Sequence, residues 1–334
     1  MTFHAPVIDW GDRDLTSLER RRYQALHNLQ RKNSSFNVGW APMRSKVGGG
    51  VAATIALLAA LPAGATAAQT VIPSTVGTSV AVPAGKARSL TLTCPNTAVA
   101  LHAAPVVLPS GVRVVSSVPG DQARRWTLRF ASVARKKRRV TAVLRCVRLD
   151  LPAAVTGVTV RVNTTSLPGL RVRAGATRQT ALSCPSGYVP TGQGVGASTR
   201  AISVAAAVPN GSGWVFRVKN RGKSAARAGL RIRCLQRVVA GRRNGARAAL
   251  AFRVKRVAYQ FPVRSGKDRS VSGSCARGRF SLGTGVSLDR SDDISLITAF
   301  PSGSRGGLWF FRNSGAPERV TSYLLCLSRS SRFG

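Results

Sequence analysis

Three times along this chain of 334 residues, a cysteine is followed by an apolar stretch, a proline turn, a tryptophan and a second cysteine. The sets are Cys94, Pro119, Trp126, Cys146; Cys184, Pro209, Trp214, Cys234; and Cys275, Pro301, Trp309, Cys326. Their first cysteines lie 90 and 91 residues apart, and the cysteines within each set are 52, 50 and 51 apart. A near-constant period of this length is the mark of an internal repeat, and it overrides the length prior of about two domains. Three small units are predicted, at 79–169, 170–256 and 257–334. A unit of that size buries a modest core, which small exported domains commonly reinforce with disulfides.

Six cysteines allow fifteen pairings. The repeat selects one of them, Cys94 with Cys146, Cys184 with Cys234 and Cys275 with Cys326. Each bond would close a loop of about fifty residues and stabilise the fold by roughly 4 kcal/mol through the unfolded chain. A zinc or redox role is disfavoured, because there is no C-x-x-C and histidine is scarce.

Between the cysteines the pattern is short alternating or β-branched runs: Ser89 to Cys94, Val112 to Val118, Trp126 to Phe130, Val140 to Val147 and Val155 to Val162. Turn formers separate them, among them Pro109-Ser-Gly111, Pro119-Gly-Asp121, Pro168-Gly169, Asn210-Gly211, Ser302-Gly303 and Gly306-Gly307. Ala201 to Val208 is rich in alanine, but its counterparts Val112 to Val118 and Ile294 to Phe300 are β-like, so it too is predicted as a strand. Short strands with turns every ten residues or so predict an all-β fold of sandwiches or barrels. Each tryptophan opens a strand, as a core aromatic packed on the disulfide or as a surface stacking platform; the core reading is preferred.

Residues 1–42 read differently. Asp14 to Lys32 has leucines at 15, 18, 26 and 29 among helix formers, which suits a short amphipathic helix. The segment is expected to be a cytoplasmic tail, or else an over-extended gene start or disordered, because Met43 opens a secretory signal at 43–68. Arg44 and Lys46 precede the apolar run Val51 to Leu61, Pro62 breaks it, and Ala65-Thr66-Ala67 offers a cleavage site before Ala68. The run is short for a membrane span. An uncleaved anchor is the alternative, and only then is a membrane a partner. Export and paired cysteines support each other, since disulfides persist outside the reducing cytosol.

Lysine and arginine number 51 against 11 acids, a formal charge of +40. High-GC coding inflates arginine without function, but it does not explain why Leu151 to Lys267 contains no acid at all. Those charges can be neutralised only by another part of the chain, by solution ions or by an anionic polymer. Residues 170–256 hold 18 Lys and Arg with no acid, 79–169 hold 14 with two, and 257–334 hold 11 with five. The middle unit is therefore expected to be the main anion-binding surface. The candidate binding residues are Arg135, Lys136, Lys137, Arg138 and Arg139, expected at a hairpin tip, with Arg242 and Arg243, and Arg253, Lys255 and Arg256. A merely solvated loop is the alternative for the first cluster.

Sets two and three share Cys184-Pro-Ser-Gly187 with Gly192 and Gly194, and Cys275-Ala-Arg-Gly278 with Gly283 and Gly285. Set one keeps Cys94-Pro95 but carries Thr97, His102 and Ala104 where the glycines would be. No helix pattern or Lys-Ser/Thr follows these glycines, so they are not a phosphate loop; bulges or close backbone approach account for them. The unit C-P-x-G-x4-G-x-G, proline turn, Trp, Cys resembles a loosely defined class of secreted tandem β-repeat proteins of high-GC bacteria, over roughly residues 80 to 334. The resemblance implies a fold and no enzyme chemistry. The immunoglobulin pattern places its tryptophan nearer the first cysteine, so similarity to it is architectural.

Beyond the signal the chain has one histidine, His102, in an apolar strand, and seven acids: Asp121, Asp150, Asp268, Asp289, Asp292, Asp293 and Glu318. General acid–base chemistry needs a positioned histidine or paired carboxylates. Only Asp289, Asp292 and Asp293 cluster, without the spacing or glycine of a calcium loop. The expectation is thus an exported, non-catalytic protein of three tandem disulfide-stapled β-sandwich repeats, immunoglobulin-like in architecture. It would act at the cell envelope or outside the cell by binding an anionic polymer (cell-wall polymer, polysaccharide or nucleic acid). A secreted binder of nucleic acid or anionic lipid is the first alternative and an enzyme the second. No cofactor, metal or small-molecule substrate is implied.

Overall fold

Trp126, Leu128 and Phe130 are buried while Arg125 and Arg129, between and beside them, are exposed. That period of two recurs throughout, and the described chain is all β. The computed structural model describes residues 70–331 apart from 151–154, 157, 200, 244–245, 267 and 289–293. The N-terminal segment at 1–42, the signal at 43–68 and the cluster Asp289, Asp292 and Asp293 lie outside the described residues.

The strands fall into three sets of six. The first holds β1 (Thr70–Val82), β2 (Ala87–Thr93), β3 (Val99–Val107), β4 (Val112–Pro119), β5 (Arg125–Ser132) and β6 (Arg138–Asp150). After the two-residue β7 (Val155–Thr156) come β8 (Val162–Val172), β9 (Thr177–Ser183), β10 (Tyr188–Ala197), β11 (Ile202–Asn210), β12 (Gly213–Asn220) and β13 (Ala226–Gln236). Following β14 (Val238–Arg243), the third set is β15 (Ala246–Val263), β16 (Asp268–Ser274), β17 (Phe280–Leu288), β18 (Ile294–Ser302), β19 (Gly306–Asn313) and β20 (Glu318–Ser331). The alanine-rich stretch after residue 201 is strand β11, as its aligned counterparts predicted.

Within each set the first, sixth and third strands pair in that order, as do the second, fifth and fourth. In the first set the two rows enclose a core of Leu92, Trp126, Leu128, Phe130, Val140 and Leu144 around Cys94 and Cys146. The sets do not stand apart. Strand β4 pairs with β10 through Ser117↔Val195 and Ser116↔Gly196, making the six-stranded sheet β2-β5-β4-β10-β13-β8. Strand β11 pairs with β17 in the same way, through Ala206↔Ser287 and Ala207↔Val286. Strand β18 then lies against β3, where Thr298 Oγ1 donates to the Pro105 carbonyl. The largest core runs through the second set and takes in Val99, Leu101 and Val147 from the first and Phe252, Leu282 and Leu325 from the third.

The disulfides are Cys94–Cys146, Cys184–Cys234 and Cys275–Cys326, with Cα separations of 5.8, 5.7 and 5.6 Å, and all six cysteines are buried. The pairing predicted from the period is the one found. Bonds of this kind are made in an oxidising environment.

Two glycine positions show why the motif is spaced as it is. Gly187 and Gly278 have φ of 80° and 76°, and in the first set Thr97 holds the same left-handed turn at 68°. Gly192 sits at a register shift in β10, where an added Cβ would lie 1.9 Å from the Leu101 carbonyl oxygen of β3. Gly283 repeats this in β17, 2.2 Å from the carbonyl oxygen of Thr191 in β10. Close backbone approach is thus what those glycines serve. His102, at the corresponding position of β3, fills the remaining junction with its ring, Nε2 lying 3.4 Å from Thr284 Oγ1 of β17.

The three tryptophans of the repeated motif, Trp126, Trp214 and Trp309, are core residues, each at most 1 % exposed. Trp126 stands opposite Leu92 and Trp214 opposite Leu182, but in the third set Gly307 takes that place, opposite Gly273. Trp309 starts two residues further along β19 and reaches back over it: a Cβ on Gly307 would lie 2.8 Å from Trp309 Cη2. This offset, with a β19–β20 connection one residue shorter than β5–β6, shortens the last tryptophan-to-cysteine spacing.

Candidate anion-binding surface

The run from Arg135 to Arg139 is not at a hairpin tip. Strand β5 pairs with β2 and β4, whereas β6 pairs with β1 and β3, so residues 133–137 cross from one row to the other. The run looked like a hairpin because a strand precedes and follows it; only pairing distinguishes the two. Arg135, Lys136, Lys137 and Arg139 are exposed, and Arg138 is half-buried at the start of β6. The corresponding crossover of the second set carries Arg221 and Lys223, and a buried asparagine shapes it, Asn220 Nδ2 donating to Ser224 O at 2.8 Å. Asn313 does the same for the third, through Ala316 O at 2.7 Å.

Arg242 is exposed on β14, and Arg243 ends that strand, its side chain outside the described residues. Arg253, Lys255 and Arg256 are exposed on β15. The predicted clusters do not converge: Arg242 pairs with Arg247, six residues along β15 from Arg253, which is about 20 Å of extended strand. Arg256 has a structural task as well, its Nη1 donating to Pro209 O at 2.9 Å and its guanidinium lying 5.5 Å above the Tyr323 ring.

Two arginines that the sequence reading left out are buried instead of solvated. Arg145 and Arg233 are 2 % and 1 % exposed. Each precedes a closing cysteine and reaches into a turn of another set. Arg145 Nη2 donates to Ser281 Oγ at 3.2 Å and to the Gly303 carbonyl at the β18–β19 turn. Arg233 Nη2 donates to the carbonyls of Gly120 and Arg125 at 2.9 and 3.2 Å, at the β4–β5 turn, while Nη1 donates to Thr164 Oγ1 at 2.8 Å. Burial lowers both guanidinium pKa values to about 10, with Asp121 opposing the shift at Arg233 and Arg231 adding to it. Both remain charged at neutral pH, held by carbonyl dipoles. The signal was the Arg-Cys dipeptide of the first two sets, Arg145-Cys146 and Arg233-Cys234.

No family model and no curated protein matches this chain. Its chemistry therefore has to be read from its own surface. Burial pushes the His102 imidazole down to about 4, opposed by a backbone hydrogen bond with Ala299 and reinforced by the charge of Arg145. The middle stretch without acids borrows one from the first set: Arg231 Nη1 lies 3.7 Å from Asp121 Oδ1, whose side chain is fully exposed. An exposed pair of this kind is screened and contributes little.

A second arginine group lies on the outer face of the six-stranded sheet. Arg125 and Arg129 project from β5, Arg171 from β8, and Arg227 and Arg231 from β13. Four of these are exposed, and Arg231 is partly so. Their outward parity follows from the buried residues that alternate with them: Trp126, Leu128 and Phe130 on β5, Leu170 and Val172 on β8, Ala226, Ala228, Leu230 and Ile232 on β13.

Proposed function

We propose that this protein is exported and non-catalytic, built from three copies of one six-strand unit, and that it binds anionic polymers through its basic surface at the cell envelope or outside the cell. The observation that carries this reading is the charge balance, 51 cations against 11 acids with no acid between Leu151 and Lys267. One-to-one pairing leaves most of those cations without an acid, and a surface of that potential recruits polyanions by releasing their counterions. Export is supported by the signal-like order of Arg44 to Ala67 and by the three disulfides. The three-copy reading is supported by the period and by the identical pairing order of the three strand sets.

The test is equilibrium binding of the purified secreted chain to long-chain polyphosphate and polyglutamate across a salt series. Binding that persists near physiological salt and weakens steeply above it supports the proposal; no binding to either polymer there overturns it. Terminal sequencing of the secreted chain is expected to read from Ala68, and an intact Met1 in the membrane fraction would replace secretion with anchoring.

A further inference from the structure

Arg125, Arg129, Arg171, Arg227 and Arg231 are not scattered over the outer face of the six-stranded sheet. Arg129 pairs with Ser116, Ser116 with Gly196, and Gly196 with Gly229, a row that crosses β5, β4, β10 and β13. The row beside it on the same face brings Gly194 opposite Arg231 and Arg231 opposite Ser166. On the far side Arg227 pairs with Arg171, and Arg227 Nη1 lies over Gly169, 3.3 Å from where a Cβ would be. The centre of the face is thus a floor of Ser116, Val118, Gly196 and Gly229, with Gly194 buried beneath β4, where a Cβ would lie 2.3 Å from Ser117 O, and with Arg125 and Arg129 on one side and Arg171, Arg227 and Arg231 on the other. Three strand spacings separate β5 from β13, about 14 Å, and the two arginines within each of these strands are about 13 Å apart.

Resting on the anion-binding reading, we infer that this strip is the docking surface and that its occupant is a linear phosphate polymer recognised by its backbone. Charge complementarity decides the sign, since five arginines line the strip and the acid Asp121, at the sheet's turn, lies beside Arg231. Side-chain chemistry decides the class. None of the described outward residues on the strip is aromatic, so it offers no ring on which a base or a sugar would stack. A floor of Gly196, Gly229, Ser116 and Val118, all small, lets a chain lie against the sheet, and the planar guanidinium forks chelate phosphate oxygens in pairs. The surface is shared by the first and second sets and does not belong to the middle unit alone.

The experiment compares two variants that remove the same charge from the full chain: Arg129→Ser with Arg171→Ser and Arg227→Ser, and Arg135→Ser with Lys136→Ser and Lys137→Ser. The probe is long-chain polyphosphate, with polyglutamate as the second arm. The strip variant is expected to lose at least about tenfold in affinity and to flatten the salt slope by about 2 to 3, one counterion per lost contact. The crossover variant should change affinity less than about threefold. Should the strip variant not fold, Ser116→Glu places a carboxylate on the floor and is expected to lose polyphosphate binding. Wild-type binding that survives both strip changes, or that is lost only in the crossover variant, overturns the strip while leaving the proposed function standing. Polyglutamate bound as tightly as polyphosphate overturns the phosphate assignment. A wild type that binds neither polymer removes the proposed function itself.

Discussion

Arg256 stands directly opposite Leu325 in the β15–β20 ladder. Leu325 precedes the closing cysteine of the third set, the place that Arg145 and Arg233 hold in the other two. The guanidinium missing there is supplied from the neighbouring strand, and it reaches the Pro209 carbonyl at the end of β11. Arg256→Ala is expected to lower stability by about 1 kcal/mol, as one charge-assisted hydrogen bond and a cation–π contact are lost. Arg253→Ala, on the same strand, should stay within about 0.5 kcal/mol. Urea unfolding of the two variants checks this; equal midpoints would show that Arg256 is only solvated.

Arg233 carries more, because it is buried and holds a turn of the first set. Arg233→Met leaves the carbonyls of Gly120 and Arg125 without its hydrogen bonds and is expected to destabilise by about 2–3 kcal/mol. Arg233→Lys keeps the charge but not the fork, and should recover less than half of that. The same denaturation series reads both, and full rescue by lysine would mean that charge alone matters.

Gly192→Ala would put a methyl group 1.9 Å from the Leu101 carbonyl oxygen. Backbone must move, so a loss of at least about 2 kcal/mol is expected, on the scale of overpacking. Gly196→Ala makes only ordinary contacts, with Ser116 Oγ at 3.4 Å, Val118 Cγ1 at 3.7 Å and Gly229 O at 4.0 Å, and should remain within about 0.5 kcal/mol. Thermal unfolding of the pair checks the contrast.

His102 makes stability depend on pH. Its folded pKa of about 4 lies below the unfolded value of 6.5, so between those values the unfolded chain binds the extra proton. The stability held by the neutral form is fully present above pH 6.5 and falls as pH drops toward 4. The loss between pH 7 and pH 5 is about 2 kcal/mol, a range that largely spares the carboxylates. In His102→Asn that slope should vanish. Urea midpoints at the two pH values, wild type against variant, decide it; parallel falls would place the dependence elsewhere.

Strand positions, inward and outward parity, turn glycines and the three disulfides were legible because they are local or periodic. Alternation places Trp126 inside and Arg129 outside whatever the rest of the chain does, and the period near 90 selects one pairing of cysteines from fifteen. The sequence by itself also determined the charge: no arrangement of 51 cations and 11 acids neutralises the chain. What only the tertiary structure decided is which surfaces meet. Arg145 has the outward parity of an exposed residue, between Leu144 and Cys146, yet it is buried because the β18–β19 turn of another set closes over it. Arg135 has the same chemistry and stays in solvent on the β5–β6 crossover. The same holds for the arginine strip, whose members lie as far as 106 residues apart in the chain, from Arg125 to Arg231. They share a face only because β4 pairs with β10, a contact between strands of different sets that no local pattern encodes.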